Sequence, residues 1–326
     1  MTTTTNPEIA AKEVADRIRS GRNFLITGHR NPDGDALGSA IALQRLIRQM
    51  GKEARVVVRD GFAKPLHNIP GADEVTISDT LPADYPKAYD ALFAMECPEV
   101  HRTGYDVLPG PVVNIDHHLG NEMYGEINFL DVDAPSVGEM VLQLNRNHLK
   151  LPLDRDTATA MYVSLSTDTG FFRYHNTTLR TFQAAEELVR AGAVPGDVNL
   201  WINESQPRGA IKLLGLCLTT LELHNDGKIA TTELPKRFFR EADASPEDTE
   251  GIVNYGRSIE GVTVSALLKE GDDGTRVSLR AKPGVDVQKV AAMFGGGGHK
   301  AASGCTIPLP LAEAKAKLLS ILQGSV

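Results

Sequence analysis

The sequence predicts an α/β protein, with an N-terminal domain on a parallel sheet followed by a smaller C-terminal α/β domain. Three observations carry this. Short apolar runs alternate with stretches of helical periodicity through the first half. At 326 residues, the chain exceeds one ordinary core and suits two domains of roughly 100–200 residues each. The pattern also breaks at AGAVPGDVNL (191–200), where Gly, Pro, Gly and Asp fall close together, and then restarts. The expected bounds are 1–192, a linker at 193–206, and 207–326.

In the first domain NFLITG (23–28) reads as a buried strand. ALGSAIALQRLIRQM (36–50) places apolar residues at helical spacing and stops at Gly51, a natural C-cap. ARVVVRD, DALFAMEC and VVNIDHH are further strands, and helices are expected at 136–149, 155–166 and 178–191. Such alternation implies a parallel sheet covered by helices. In the second domain a helical run at 207–222 precedes strands at GKIATTEL, VTVSALLKE and TRVSLRAK. SPEDTEGIVNYGRSI lies between the first two, with Ser245 as N-cap and Pro246 at the first helical position. DVQKVAAMF leads into GGGGH, and an Ala/Lys/Leu-rich helix closes the chain.

Composition is that of a folded globular protein, 41% hydrophobic and 23% charged. The net charge of −8 excludes the basic footprint of a duplex-DNA binder. Cys97, Cys217 and Cys305 are far apart and form no CxxC, which suits a reducing cytosol. The start, MTTTTNPEIAAKEV, lacks the basic and apolar regions of a signal peptide. No apolar run approaches the ~20 residues of a membrane span. A soluble, cytoplasmic protein is expected.

Ligand-type side chains gather at segment ends. HRNPDGD (29–35) follows the first strand, and its Pro-Asp-Gly turn can fold Asp33 and Asp35 back toward His29. Glu96 ends DALFAME, His117 and His118 end NIDHH, and Asp168 lies in STDTG. Imidazole with carboxylate oxygens suits manganese, magnesium, zinc or iron. No Ser-His-Asp arrangement competes, and Cys97 reads as packing.

HxxxDxD, DHH, DTG and the later GGGGHKAASG, in this order, resemble the DHH phosphoesterase superfamily with its C-terminal associated domain. Within it, they resemble the bacterial bifunctional oligoribonucleases (nanoRNases) and 3′-phosphoadenosine 5′-phosphate (pAp) phosphatases. The resemblance implies two divalent ions, manganese foremost, in a cleft between the domains, and a homodimer. His29 and Asp33 would hold one ion, and Asp35, His117 and Asp168 the other. Glu96 stands where the family more often has a bridging Asp; being one methylene longer, it could bridge differently, bind one ion or weaken a site. Asp116 would orient a neighbouring histidine. A metal-bridged water would attack phosphorus, with Asp35 and His118 serving the chemistry.

The glycines of GGGGH let backbone approach a ligand closely and present amides to an anion, with His299 at the rim. Gly297, Gly298 and His299 are therefore substrate candidates, as are Arg257, Ser278 and Arg280. Ser278 and Arg280 alternate along one strand and share a face, with Arg276 beside them. Arg102 and the FFRY stretch (171–174) are weaker candidates. The expected substrates are short oligoribonucleotides, dinucleotides or pAp. A cyclic or linear dinucleotide phosphodiesterase is the alternative within the class, and a nucleotide sensor whose hydrolysis has decayed at Glu96 the alternative outside it.

Overall fold

The computed structural model describes residues 6–249 and 251–324. The chain divides into two compact units, Met1–Ser205 and Gln206–Val326.

The first unit opens with α1 (Pro7–Ser20), capped by Asn6, whose side chain accepts from the Glu8 amide. Ala10, Ala11, Val14, Ala15 and Ile18 bury one face of it. Then come β1 (Asn23–Thr27), α2 (Gly34–Gln49), β2 (Glu53–Val58), β3 (Thr76–Ile77), β4 (Ala91–Met95), β5 (Val112–Asp116) and β6 (Ile127–Leu130). The helices α3 (Val137–Leu144), α4 (Arg155–Asp168), α5 (Leu179–Arg190) and α6 (Pro195–Asn203) complete it. Residues 136–149, expected as one helix, change at Asn145 into a wider π turn that ends at left-handed Lys150. The stretch expected as linker carries α6, whose Val198 belongs to the main core.

All strands of this sheet are parallel, in the order β3-β2-β1-β4-β5-β6. The order reverses between β1 and β4, and at such a switch point the connections leaving two adjacent strands diverge and open a crevice. Alternate residues face opposite ways. Phe24, Ile26, Val56, Phe93 and Val113 pack with α1 to α4 in the main core. Leu25, Val57, Leu92, Ala94 and Val112 face a smaller cluster closed by Leu81, Tyr85, Leu108 and Tyr124. That face is covered by irregular segments, not by the helices expected, because 78–90 and 98–110 carry no helical period beyond short 3-10 turns.

The second unit contains α7 (Arg208–Leu218), β7 (Glu222–His224), β8 (Ile229–Leu234), α8 (Lys236–Ala242), α9 (Val253–Arg257), β9 (Val264–Glu270), β10 (Thr275–Ala281), α10 (Val287–Ala292), β11 (Gly297–His299), β12 (Ala302–Ile307) and α11 (Leu311–Leu322). Its mixed sheet runs β11-β12-β10-β9-β8-β7, with only β8 and β9 parallel. Ser245 caps no long helix. Its hydroxyl and amide both donate to Asp248, and Pro246–Thr249 makes a 3-10 turn before Gly251 adopts a left-handed conformation. The glycine run is an edge strand: a Cβ on Gly298 would meet the Ala302 carbonyl oxygen at 2.5 Å.

Helices α2 and α4 cross at Gly38, where a Cβ would lie 2.5 Å from the Ala160 carbonyl oxygen. Glycine to alanine inside a helix ordinarily stabilises. Here backbone blocks it, so Gly38→Ala is expected to destabilise by about 1–3 kcal/mol in chemical denaturation. Asp90 accepts from the amides of Arg22 and Asn23 at 2.6 and 3.0 Å, and these bonds hold its carboxyl below the usual range. A depressed carboxylate contributes stability above its unfolded pKa, about 3.9, and loses it as pH falls through the folded value. The stability gap between wild type and Asp90→Ala should therefore be full at neutral pH and close in acid, as followed by melts at a series of pH values.

Candidate metal centre

The site is built at the carboxyl ends of β1, β4 and β5, flanking the switch point. β1 runs into His29 and the Asn31-Pro32 turn, and Asp33 becomes the N-cap of α2, accepting from the amides of Asp35 and Ala36 at 3.0 Å each. Asp35 thus lies in the first turn of α2, not at its cap. Glu96 follows β4 in a left-handed conformation, φ 57°, which costs a residue with a Cβ about 1–2 kcal/mol. The turn is held because Asn114 Nδ2 and Tyr124 Oη both donate to the Cys97 carbonyl, at 3.0 and 3.1 Å. Asp168 is the last residue of α4.

Two groups result. His29, Asp33 and Glu96 bring ligand atoms within 4.8 Å of one another, as do Asp35, Glu96, His117 and Asp168. Glu96 belongs to both, so its extra methylene does not remove it from either. His29 Nε2 lies 3.6 Å from Asp33 Oδ1 and 3.3 Å from Glu96 Oε2. His117 Nε2 lies 3.7 Å from Asp35 Oδ2 and 3.8 Å from Asp168 Oδ2. Each ring is fixed through its other nitrogen by a backbone carbonyl: His29 Nδ1 by Arg30 O at 2.8 Å, His117 Nδ1 by Ala134 O at 3.0 Å. A carbonyl only accepts, so Nδ1 carries the proton and Nε2 is turned to the acids. His118 Nδ1 pairs with Asp116 Oδ1 at 2.8 Å, and Asn121 donates to the other Asp116 oxygen. Asp116 therefore orients His118, not His117.

The electrostatics are those of a cluster short of positive charge. Burial favours a neutral Glu96, Asp33 and Asp35 add repulsion, and its carboxyl titrates well above the usual range despite His29. Burial opposes charge on His117, but Asp168, Asp35 and Glu96 outweigh it and lift its pKa to about 10. The same contest lifts His29, through Glu96 and Asp33. Glu96 Oε2 is buried without a hydrogen bond. Divalent cations fit this donor set: nitrogen and carboxylate ligands, an orphaned oxygen, and protons held where a cation would displace them.

Sequence reading missed the partners of the acids. Asp35 Oδ1 accepts from Ser164 Oγ at 2.5 Å and the Gly138 amide at 3.2 Å, and Oδ2 from the Val137 amide at 2.9 Å. One oxygen is saturated, while the other, nearer His117, keeps a lone pair. Asn176 Nδ2 donates to Asp168 O and Oδ2. The S-x-x-E signature at Ser136–Glu139 announced the start of α3. Nothing local announced that its amides would receive Asp35.

The substrate candidates lie in the second unit. β12 pairs both β10 and β11, so Arg280, Ala302 and His299 form one row, and Ser278, Gly304 and Gly297 another. Gly298 sits between the rows, opposite Ser303. Ser265 pairs Arg280, and its hydroxyl donates to Val253 O of α9, the helix that ends at Arg257. Ser278, Arg280 and His299 thus share the sheet face on which α9 packs. The opposite face carries Val277 and Leu279 into the core.

Each unit matches a known family. Residues 23–165 match the DHH family, N-terminal domain, and residues 226–326 the DHHA1 domain. The bifunctional oligoribonuclease and PAP phosphatase NrnA of Thermus thermophilus is 32% identical over 301 residues, 92% of this chain and 89% of the relative. This chain belongs to the DHH phosphoesterase family. It is accordingly a hydrolase of phosphoric esters. The cyclic-di-AMP phosphodiesterase PdeA of Listeria monocytogenes is 24% identical, across 96% of this chain and 49% of that protein. An exopolyphosphatase-related protein of Bacteroides fragilis shares the DHH fold with TM-score 0.86 and 24% identity, covering 99% of this chain and 98% of that one. Among the described residues no helix is long and apolar enough to cross a membrane.

If Ser164 positions Asp35 for a cation, Ser164→Ala should weaken manganese binding by about 10–100-fold in calorimetric titration. The melting temperature without metal should move little, since both amides still hold Asp35. Asp35→Asn should abolish the tighter of two binding steps or reduce the stoichiometry.

Proposed function

We propose that this DHH protein is a manganese-dependent phosphoesterase that hydrolyses short oligoribonucleotides and dinucleotides and removes the 3′-phosphate of pAp to leave AMP. The observation that carries the reading is the pair of ligand groups sharing Glu96, beside a relative of this activity aligned over nearly the whole chain. In this reading His29 and Asp33 hold one cation, Asp35, His117 and Asp168 the other, and Glu96 serves both. When bound, the two cations supply an activated water and neutralise charge on the phosphoryl oxygens.

The chain's own residues do the rest. Ser164 and the α3 amides keep Asp35 in one orientation, and Asn176 does so for Asp168. His118, held by Asp116 through Nδ1, offers Nε2 to a phosphoryl oxygen or to the leaving group. The water oxygen bonds to phosphorus, the ester P–O bond breaks, and the leaving oxygen takes a proton. Arg257, Ser278, Arg280, His299 and the amides of Gly297 and Gly298 grip the substrate end, which favours short substrates over long strands. The Listeria relative supports a second reading, in which linear or cyclic dinucleotides are the main substrate. A homodimer in the cytoplasm completes the proposal; three unpaired cysteines suit that compartment.

The test is a product time course in manganese with pAp, dinucleotides and a five-residue RNA. Turnover of pAp and the shortest RNAs is expected. Asp35→Asn and His117→Ala should each lower kcat/KM by roughly 10³-fold or more. Tight nucleotide binding without turnover under any divalent metal would instead identify a sensor.

A further inference from the structure

We infer that Arg30, Arg59 and Arg102 form a second anion-binding patch, within the first unit, that holds a non-scissile phosphate of the nucleotide substrate. The inference rests on the phosphoesterase reading and adds to it a contact that the family resemblance does not place.

The three arginines come from different segment ends on the same edge of the sheet as the metal ligands. Arg30 directly follows His29, Arg59 directly follows β2, and Arg102 lies six residues after Glu96. Two observations tie them together. The Arg30 amide donates to the Arg102 carbonyl at 2.7 Å, stitching the loop after Glu96 to the segment that carries His29. A Cβ on Gly104 would fall 2.6 Å from Arg59 Cγ and 2.8 Å from Arg30 Cγ. Two arginine stems therefore lie side by side over a residue that must be glycine, both for this approach and for its φ of 83°.

Charge in this corner is not balanced. Asp60 is committed to the Arg30 Nε, at 3.1 Å, and to the Asn31 amide, at 3.2 Å. It pins the turn before Asp33 and leaves the terminal nitrogens of Arg30 unused by it. Glu99 pairs with His101 at 2.9 Å. Among the described residues neither Arg59 nor Arg102 has an ion-pair partner. Asp60 and Asp79 both lie within electrostatic reach of Tyr105, as Arg59 does, so three guanidinium groups face two carboxylates, neither of which pairs with Arg59 or Arg102.

The stems are apolar and can pack, but the guanidinium heads they carry repel unless an anion or water lies between them, and such heads are suited to bidentate phosphate contact. Beside them, four acids of the metal centre repel any phosphate until cations bind. A positive rim next to that centre draws an anionic substrate in and fixes its second phosphate while the first is cut. A substrate with two phosphates profits; an ester with one does not. This differs from the grip expected of Arg257 and Arg280, which belong to the second unit.

The experiment compares pAp, which carries two phosphates, with bis(4-nitrophenyl) phosphate, which carries one, in manganese. Wild type, Arg59→Ala, Arg30→Ala, the double variant and Arg59→Lys are measured, with thermal melts to check folding. The ratio of kcat/KM for pAp over the simple diester should fall about tenfold or more in each alanine variant, chiefly through KM, and further in the double variant. Arg59→Lys should recover part of it, since charge returns without the fork. A ratio unchanged in the folded double variant overturns the patch and leaves the phosphoesterase reading standing. Wild-type protein that hydrolyses neither substrate overturns that reading, and the patch with it.

Discussion

Like charge crowded at one edge of a parallel sheet is the constraint around which the first unit is organised. Asp33, Asp35, Glu96 and Asp168 converge with only His29 and His117 among them. Carboxylates this close cannot all ionise unless something positive is supplied, and burial sharpens the conflict. The structure answers in three ways. Asp33 takes the amides that open α2. Asp35 takes the amides that open α3 and the hydroxyl of Ser164. Among the described residues Glu96 receives no amide or hydroxyl and has only the His29 ring, 3.3 Å from Oε2; burial raises Asp35 as well, but it is Glu96 that is driven well above the usual range. The deficit is thus concentrated at the residue that belongs to both ligand groups.

Much of the surrounding architecture serves to hold these acids still. The left-handed turn at Glu96 is disfavoured locally and persists because Asn114 and Tyr124 grip the carbonyl beyond it. Asn121 joins Asn114 to Asp116, so the Glu96 turn and the His118 ring lean on one hydrogen-bonded network. Arg180 bonds Glu139 through two nitrogens and also reaches Asp131, tying α5 and the end of β6 to α3. Since α3 supplies the amides for Asp35, that half-buried ion pair, with Glu139 its buried member, acts on the metal centre at one remove. Pairs of this kind stabilise little in net terms, yet breaking one strands a buried charge. Their value here is in orientation.

Glu96 shows how a departure from a family pattern is read in three dimensions. As a sequence feature it left open a different bridge, a single ion or a decayed site. Its oxygen lies 3.3 Å from His29 Nε2 and within both ligand groups, so the longer side chain is accommodated and not displaced. The ground for a decayed sensor, displacement of Glu96 from the ligand groups, is therefore absent.

The order of motifs and the alternation of apolar and helical runs were enough to identify an α/β chain of this family, and HRNPDGD, NIDHH, Glu96 and Asp168 at segment ends to point to the ligand candidates. Those signals are local: strand ends, turns and caps are written in adjacent residues. The sequence alone could not decide that β1 and β4 would be neighbours, which sets His29 against Glu96 across the switch point. That pairing depends on long-range strand order, which no local period encodes. Nor could it reveal Ser164, Asn176 or the α3 amides as the partners of the acids, or the unbalanced arginines around Gly104. Ser164 and the α3 amides lie more than a hundred residues from Asp35, and even Asn176, eight residues past Asp168, carries no local signal of the contact; only packing brings them together.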